Sequence, residues 1–261
     1  MPYLLTIDAG NTNTVLGIHQ GAELKAHWRL TTRREQTADE YGILVRNLFA
    51  ASGIEPSQIG GIALASVVPP LTPVLVTLAR HYLGQEPLVV EPGVRTGMPI
   101  LYEPPGDVGA DRIVNGVAAF AAYGGPVIVV DFGTATTFDV VTKKGEYLGG
   151  VICPGIGISA DALFQRAARL PRVDVRKPAT VIGRSTVGSM QSGLYFGYAS
   201  MVEGLIARIR AELGEPAKAV ATGGLAESMA ADIPSIEAVD PVLTLTGLRL
   251  IWERNRPAGA R

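Results

Sequence analysis

The sequence predicts an α/β protein made of two halves with the same plan, mixed sheets with helices outside. Three observations carry this. Short apolar runs of strand length alternate with longer stretches of helical period. The order of three strands followed by alternating helices and strands occurs twice. Each half also opens on the same polar signature: Asp8-Ala9-Gly10-Asn11-Thr12-Asn13-Thr14 after one apolar run, and Asp131-Phe132-Gly133-Thr134-Ala135-Thr136-Thr137 after another, 123 residues apart in a chain of 261.

Taken in order, Tyr3–Asp8 reads as a buried strand. Thr14–His19 and Glu23–Leu30 alternate as the next two, joined at Gln20-Gly21. Thr37–Ser52 reads as a helix, because Thr37 with Glu40 three residues on makes a capping box and Tyr41, Leu44, Val45 and Leu48 share a face. Gly53 suits the left-handed turn beyond it. Ile62–Val68 is a strand stopped by Pro69-Pro70; a helix over Leu71–Leu83 and a short strand at Pro87–Val90 follow. Pro92–Val108, rich in Pro and Gly, is a loop, and Ala110–Tyr123 is a helix ended by Gly124-Gly125, where the halves divide. The second half reads as strands at Val127–Asp131, Thr137–Thr142 and Glu146–Cys153, helices at Ile158–Arg169 and Thr186–Leu213, and a strand at Ala219–Ala221. A helix at Leu225–Ala231, a strand at Ser235–Val239 and a last helix at Val242–Trp252 complete it.

Composition narrows the function. The chain is 47% apolar, enough for a sizeable core, and its 23 basic and 24 acidic residues leave a net charge of −1. That balance argues against a nucleic-acid groove. Cys153 stands alone, so no internal disulfide forms, and its apolar neighbours mark it as a core residue. His19, His27 and His81 are scattered away from any metal-ligand spacing. No apolar run approaches the roughly 20 residues of a membrane span. No leader pattern precedes the first strand, and the expectation is a cytoplasmic protein.

The two signatures suit phosphate. Glycine lets the backbone turn sharply and approach a ligand, successive N–H groups line a concave anion site, and Asn and Thr add donors. An Asp at the strand end repels phosphate unless a cation or an ordered water lies between. Gly109-Ala110-Asp111-Arg112 opens a helix after the Pro-rich loop. Asp111 there either offsets the helix dipole or serves as a general base for a hydroxyl, and Arg112 is either a solvated charge or a carboxylate or phosphate clamp. Tyr102 is a loop aromatic, Thr186 reads as a helix N-cap, and Thr222-Gly223-Gly224 makes a strand-to-helix turn. Gly155-Ile156-Gly157-Ile158-Ser159-Ala160 matches a dinucleotide fingerprint but lacks an acid on a convincing second strand. No G-x-x-x-x-G-K-[ST] and no G-x-S-x-G element is present.

Together, Asp8 to Val15, Ser66-Val67-Val68-Pro69, Gly109 to Arg112, Asp131 to Thr136, Gly149 to Gly155 and Thr222-Gly223-Gly224, in this order, resemble the signatures of the type III pantothenate kinases, a family of the actin/sugar-kinase/Hsp70-like ATPase superfamily. The resemblance runs nearly end to end. It implies two duplicated actin/ribonuclease H-like domains, residues 1–123 and 124–255, with mixed sheets flanked by helices, a nucleotide cleft between them and a flexible tail at 256–261. It implies phosphorylation of (R)-pantothenate by ATP, the first step toward coenzyme A. Asp111 would be the catalytic base; Tyr102, Gly109, Ala110, Asp111, Arg112 and Thr186 would bind pantothenate. Asp8, Ala9, Gly10, Asn11, Thr12, Asn13, Thr14 and Val15, with Thr134, would hold ATP. Asp131 would bind a monovalent cation, K+ or NH4+, and Mg2+ would accompany ATP. The resemblance further implies a cytoplasmic homodimer. Arg184-Ser185 stands where a Lys-Asn pair is common in the family, a departure confined to the substrate loop.

Overall fold

The computed structural model describes residues 2–256. In chain order its elements are β1 (Tyr3–Ala9), β2 (Asn13–Gln20), β3 (Glu23–Thr31), α1 (Ala38–Ala51), β4 (Ile59–Ser66), α2 (Thr72–Leu83), β5 (Leu88–Val89) and α3 (Ala110–Tyr123). There follow β6 (Val127–Phe132), β7 (Ala135–Val141), β8 (Tyr147–Pro154), α4 (Ile156–Arg166), α5 (Thr186–Leu213), β9 (Lys218–Thr222), α6 (Ala226–Ala230), β10 (Ile236–Val239) and α7 (Leu243–Asn255). The expected tail begins at Arg256, and residues 257–261 lie outside the described residues.

The repeated plan is real at the level of topology. One sheet has the order β3-β2-β1-β4-β5 and the other β10-β9-β6-β7-β8. In the first, β1, β2 and β3 form an antiparallel meander and β4 runs parallel to β1. In the second, β6, β7 and β8 repeat the meander and β9 runs parallel to β6. The first strand of each meander is therefore central and ends at the acid-glycine signature. β8 is an edge strand beside β7, and the next strand, β9, lies between β10 and β6, so the Gly155–Ala160 fingerprint does not sit in a unit of two neighbouring parallel strands and a dinucleotide reading has no structural basis.

The chain divides into two units, one formed by residues up to Ala118 together with those from Val242, the other by Ala119–Pro241. This differs from two consecutive blocks in two ways. The division falls inside α3 rather than at Gly124-Gly125, and α7 belongs to the first unit. The physical reason is packing: Leu245 and Trp252 of α7 press on Gly17 and Gly61, and Thr244 Oγ1 bonds to Asn115 Oδ1 of α3 at 2.7 Å. On the first unit's sheet, Leu5, Ile7, Leu16, Ile18 and Leu64 meet Tyr41, Val45 and Phe49 of α1 and Leu75 and Leu78 of α2. In the second, Ile128, Val130, Phe138 and Ala221 meet Leu194, Val202 and Ile206 of α5, with Cys153 packed at the margin. Each fully buried Val, Leu, Ile or Phe among them contributes roughly 1.5–3 kcal/mol.

Local signals account for the element ends. Thr37 and Glu40 form the capping box on α1, and Gly53 adopts φ +68° just past its C-cap. α4 begins and ends earlier than its apolar pattern suggests, because Gly155 caps it and the chain leaves helical geometry at Ala167. His19 is only 2% exposed, and among the described residues neither ring nitrogen has a hydrogen-bond partner. Burial, then the Arg249 charge, lowers its pKa from 6.5 to about 4, so the fold holds a neutral imidazole there.

Candidate active site

In the first unit, β1 hands its chain to a tight turn before β2. Gly10 N–H donates to Asn13 O at 3.0 Å, and the side chains of Asn11 and Thr12 are exposed while Asp8, Gly10 and Asn13 are half-buried. Ala9 and Thr14 are buried and pair across the strands, as Asp8 does with Val15. Thr32, just past β3, braces the turn from the side. Its hydroxyl donates to Gly10 O at 2.7 Å and lies 2.9 Å from Thr14 Oγ1, and its N–H donates to Thr12 O at 2.9 Å. Arg34 adds a bond to Asn11 Oδ1 at 3.0 Å. The loop thus presents polar groups outward from a fixed frame.

The segment after β4 joins this frame. Val67 N–H donates to Ala9 O at 3.0 Å, while Ser66 Oγ accepts from Val68 N–H at 3.2 Å and from Thr72 Oγ1 at 2.9 Å. Gly109 then lies against Val67: a Cβ built on it would be 3.6 Å from Val67 Cγ1 and 2.5 Å from Asp111 Oδ1. The glycine therefore lets the Asp111 carboxylate fold back over the start of α3. Asp111 Oδ1 accepts from Arg112 N–H at 2.8 Å, and Arg112 and Ile113 N–H donate to Gly109 O at 3.1 and 3.3 Å. So the first loop and the Gly109–Arg112 turn are linked through Ser66–Val68 within one unit. Arg112 is 8% exposed, so it is not a solvated surface charge, and a guanidinium held there needs partners. Ala110 starts the helix half-buried, and Tyr102 lies half-buried in the loop before the short 3-10 turn at Pro105–Asp107.

In the second unit, Asp131 is the half-buried penultimate residue of β6, and Gly133 N–H donates to Ala135 O at 3.0 Å, one residue tighter than the first loop. Gly133 and Thr134 are exposed. Thr137, opposite Asp131, donates to Asp139 Oδ2 at 3.1 Å, and Tyr147 donates to Asp139 Oδ1 at 2.7 Å. Thr186 is the exposed first residue of α5. The expectation that it caps the helix is corrected: Ser185 is the N-cap and accepts from Gly188 N–H at 3.1 Å, which leaves the Thr186 side chain unused by the cap. Sequence reading missed Thr32 and Asp139. A Thr31-Thr32 pair closing the third strand is the one signal that could have found Thr32.

A mixed five-stranded sheet repeated in two units, each with an acid-glycine turn at the end of its central strand, defines the actin-like and sugar-kinase-like fold class. Solved structures agree on the fold. A conserved putative Baf family transcriptional activator from Campylobacter jejuni matches with TM-score 0.62 at 20% identity over 96% of this chain and 98% of its own. A putative 2-dehydro-3-deoxygalactonokinase from Sinorhizobium meliloti matches with TM-score 0.59 at 12% identity over 99% of both chains. At these identities the likeness concerns the fold alone. Within that class, the family model for type III pantothenate kinase matches residues 4–208. The type III pantothenate kinase of Moorella thermoacetica is 58% identical over 97% of this chain and 99% of its own. The chain belongs to the type III pantothenate kinase family.

Proposed function

We propose that this protein transfers the γ-phosphate of ATP to the primary hydroxyl of (R)-pantothenate, with Asp111 as the general base. The activity follows from membership of the family. The observation that supports the base is the seating of the Asp111 carboxylate over Gly109, in a turn connected through Val67 to the first phosphate loop. The hydroxyl oxygen bonds to the γ-phosphorus, the bond to the β,γ-bridging oxygen breaks, and the hydroxyl proton passes to Asp111, giving 4′-phosphopantothenate and ADP. Asp8 to Val15 and Thr134 bind ATP, and Tyr102, Gly109, Ala110, Arg112 and Thr186 bind pantothenate. Such transfer depends on positioning and charge neutralisation more than on covalent catalysis.

The donors near the second loop suit a hard cation. The Asp131 carboxylate and the Thr134 and Thr137 hydroxyls offer oxygen only, and the described residues contain no cluster of three or more His, Cys, Asp or Glu side chains for a dedicated cage. Asp131 would hold K+ or NH4+, and Mg2+ bound with ATP would neutralise phosphate charge. No helix among the described residues is long and apolar enough to cross a membrane. We read the protein as a cytoplasmic homodimer; the exposed apolar side chains of the second unit, among them Ile152, Phe164, Val181 and Ile182, are candidates for self-association.

The test is an acceptor panel with wild type and Asp111→Asn. Wild type should prefer pantothenate over sugars and other small hydroxy acids. Asp111→Asn should lose about 10²–10⁴-fold in kcat while still binding ATP. Preference for another acceptor would overturn the substrate, and near-normal turnover in the variant would remove Asp111 from the base role.

A further inference from the structure

The turn from Asp131 to Thr134 is held between two glycines that have no room for a side chain. Thr222 pairs with Asp131 in parallel register, so the chain leaving β9 must pass over the Asp131 side chain. Gly223 does this at φ +93°; a Cβ there would lie 2.4 Å from Asp131 Oδ1 and 2.7 Å from Phe132 N. From the other side, Gly155 N–H donates to Thr134 O at 3.0 Å, and a Cβ on Gly155 would lie 2.2 Å from that oxygen and 2.6 Å from Gly133 O. Gly157, two residues on, has open space around it and serves as the uncrowded comparison within the same segment.

The two glycines constrain the turn by different physics. Gly223 needs both space and a left-handed backbone that other residues adopt at a cost. Gly155 has φ −69° and ψ 155°, an ordinary conformation for any residue, so only the missing side chain matters. An alanine at either place must move the turn, because the atoms it meets are backbone or the carboxylate itself.

We propose that Gly155 and Gly223 are positioning residues for the ATP-phosphate and cation site, setting where the Asp131 carboxylate and the Thr134 backbone stand. This rests on the ATP and cation roles given above to Asp131 and Thr134. They act through the turn and touch no reacting atom, so their loss should appear on the ATP side of the kinetics and not on the pantothenate side.

The test uses Gly155→Ala, Gly223→Ala, the control Gly157→Ala, Asp131→Ala and the double variant of Gly223 and Asp131, with KM for ATP and for pantothenate, K+ activation and melting temperature. Gly155→Ala and Gly223→Ala should raise the ATP or K+ requirement by about ten- to a hundredfold with pantothenate KM unchanged, as expected for displacement of a positioned group. Gly157→Ala should match wild type. In the Asp131→Ala background, Gly223→Ala should add less than about twofold, since coupled sites are not additive. Unchanged ATP and K+ dependence in both glycine variants, an equal rise in pantothenate KM, or full additivity with Asp131→Ala would each overturn the proposal. If Gly223→Ala does not fold, Gly155→Ala, whose backbone is unstrained, decides the question. If Asp131→Ala itself leaves ATP and K+ dependence unchanged, the assignment of Asp131 fails and takes this proposal with it; if only the glycine variants are silent, that assignment stands and the positioning role falls.

Discussion

Thr32→Val separates the frame of the first loop from the groups that meet the nucleotide. The substitution keeps size and shape and leaves the Thr32 N–H bond to Thr12 O in place. It removes the 2.7 Å bond to Gly10 O and the 2.9 Å contact with Thr14 Oγ1. Both sites are partly shielded from water, and a shielded polar group left without its partner costs about 1–3 kcal/mol. If the loop relaxes to recover those bonds elsewhere, ATP must restore it on binding. Affinity for ATP then falls by about fivefold at the low end and about a hundredfold at the high end. Thr32→Ser keeps the hydroxyl and should lie near wild type. Calorimetric titration with ATP, beside steady-state KM values for both substrates, measures the effect. Wild-type ATP affinity in Thr32→Val, with an unchanged melting temperature, would refute the view that Thr32 shapes the loop.

Two further outcomes follow. The folded-state pKa of His19 is depressed, so the fold favours the neutral ring; its contribution is complete above pH 6.5 and declines as pH falls toward about 4. The displacement corresponds to about 3 kcal/mol, so between pH 7.5 and 4 wild type should lose about that much more stability in urea than His19→Leu; parallel losses would show that His19 is not the responsible group. Among the described residues Ile182 is the most exposed large apolar residue, at 80%, and Ile182→Glu should shift the protein toward monomer in analytical ultracentrifugation; an unchanged sedimentation profile would place the interface elsewhere.

Much of the fold was legible because its signals are local. Strand alternation, the Thr37–Glu40 box and the length of α5 all lie within a few residues of what they specify. What was not legible depends on partners distant in sequence. The apolar side of α7 announces burial but not against which sheet, and the answer lies in Gly17 and Gly61. α3 is a continuous amphipathic helix, so nothing in its sequence marks a unit boundary at Ala118. At the site, Asp8 and Asp131 stood out because the same acid-glycine-hydroxyl signature heads both halves, and Asp111 stood out through the family resemblance, since an acid at a helix N-terminus is ordinary by itself. Thr32 did not, because its role depends on the β2–β3 register that brings Thr31 opposite Asn13. Ser185 and Thr186 offer the same hydroxyl one residue apart, and only the backbone geometry shows that Ser185 is the cap.

The most direct measurement is formation of 4′-phosphopantothenate from ATP and (R)-pantothenate by the purified protein, with K+ and then Na+ as the only monovalent cation. The account predicts product in K+ and little in Na+. No product in either, with ATP still bound, would contradict it.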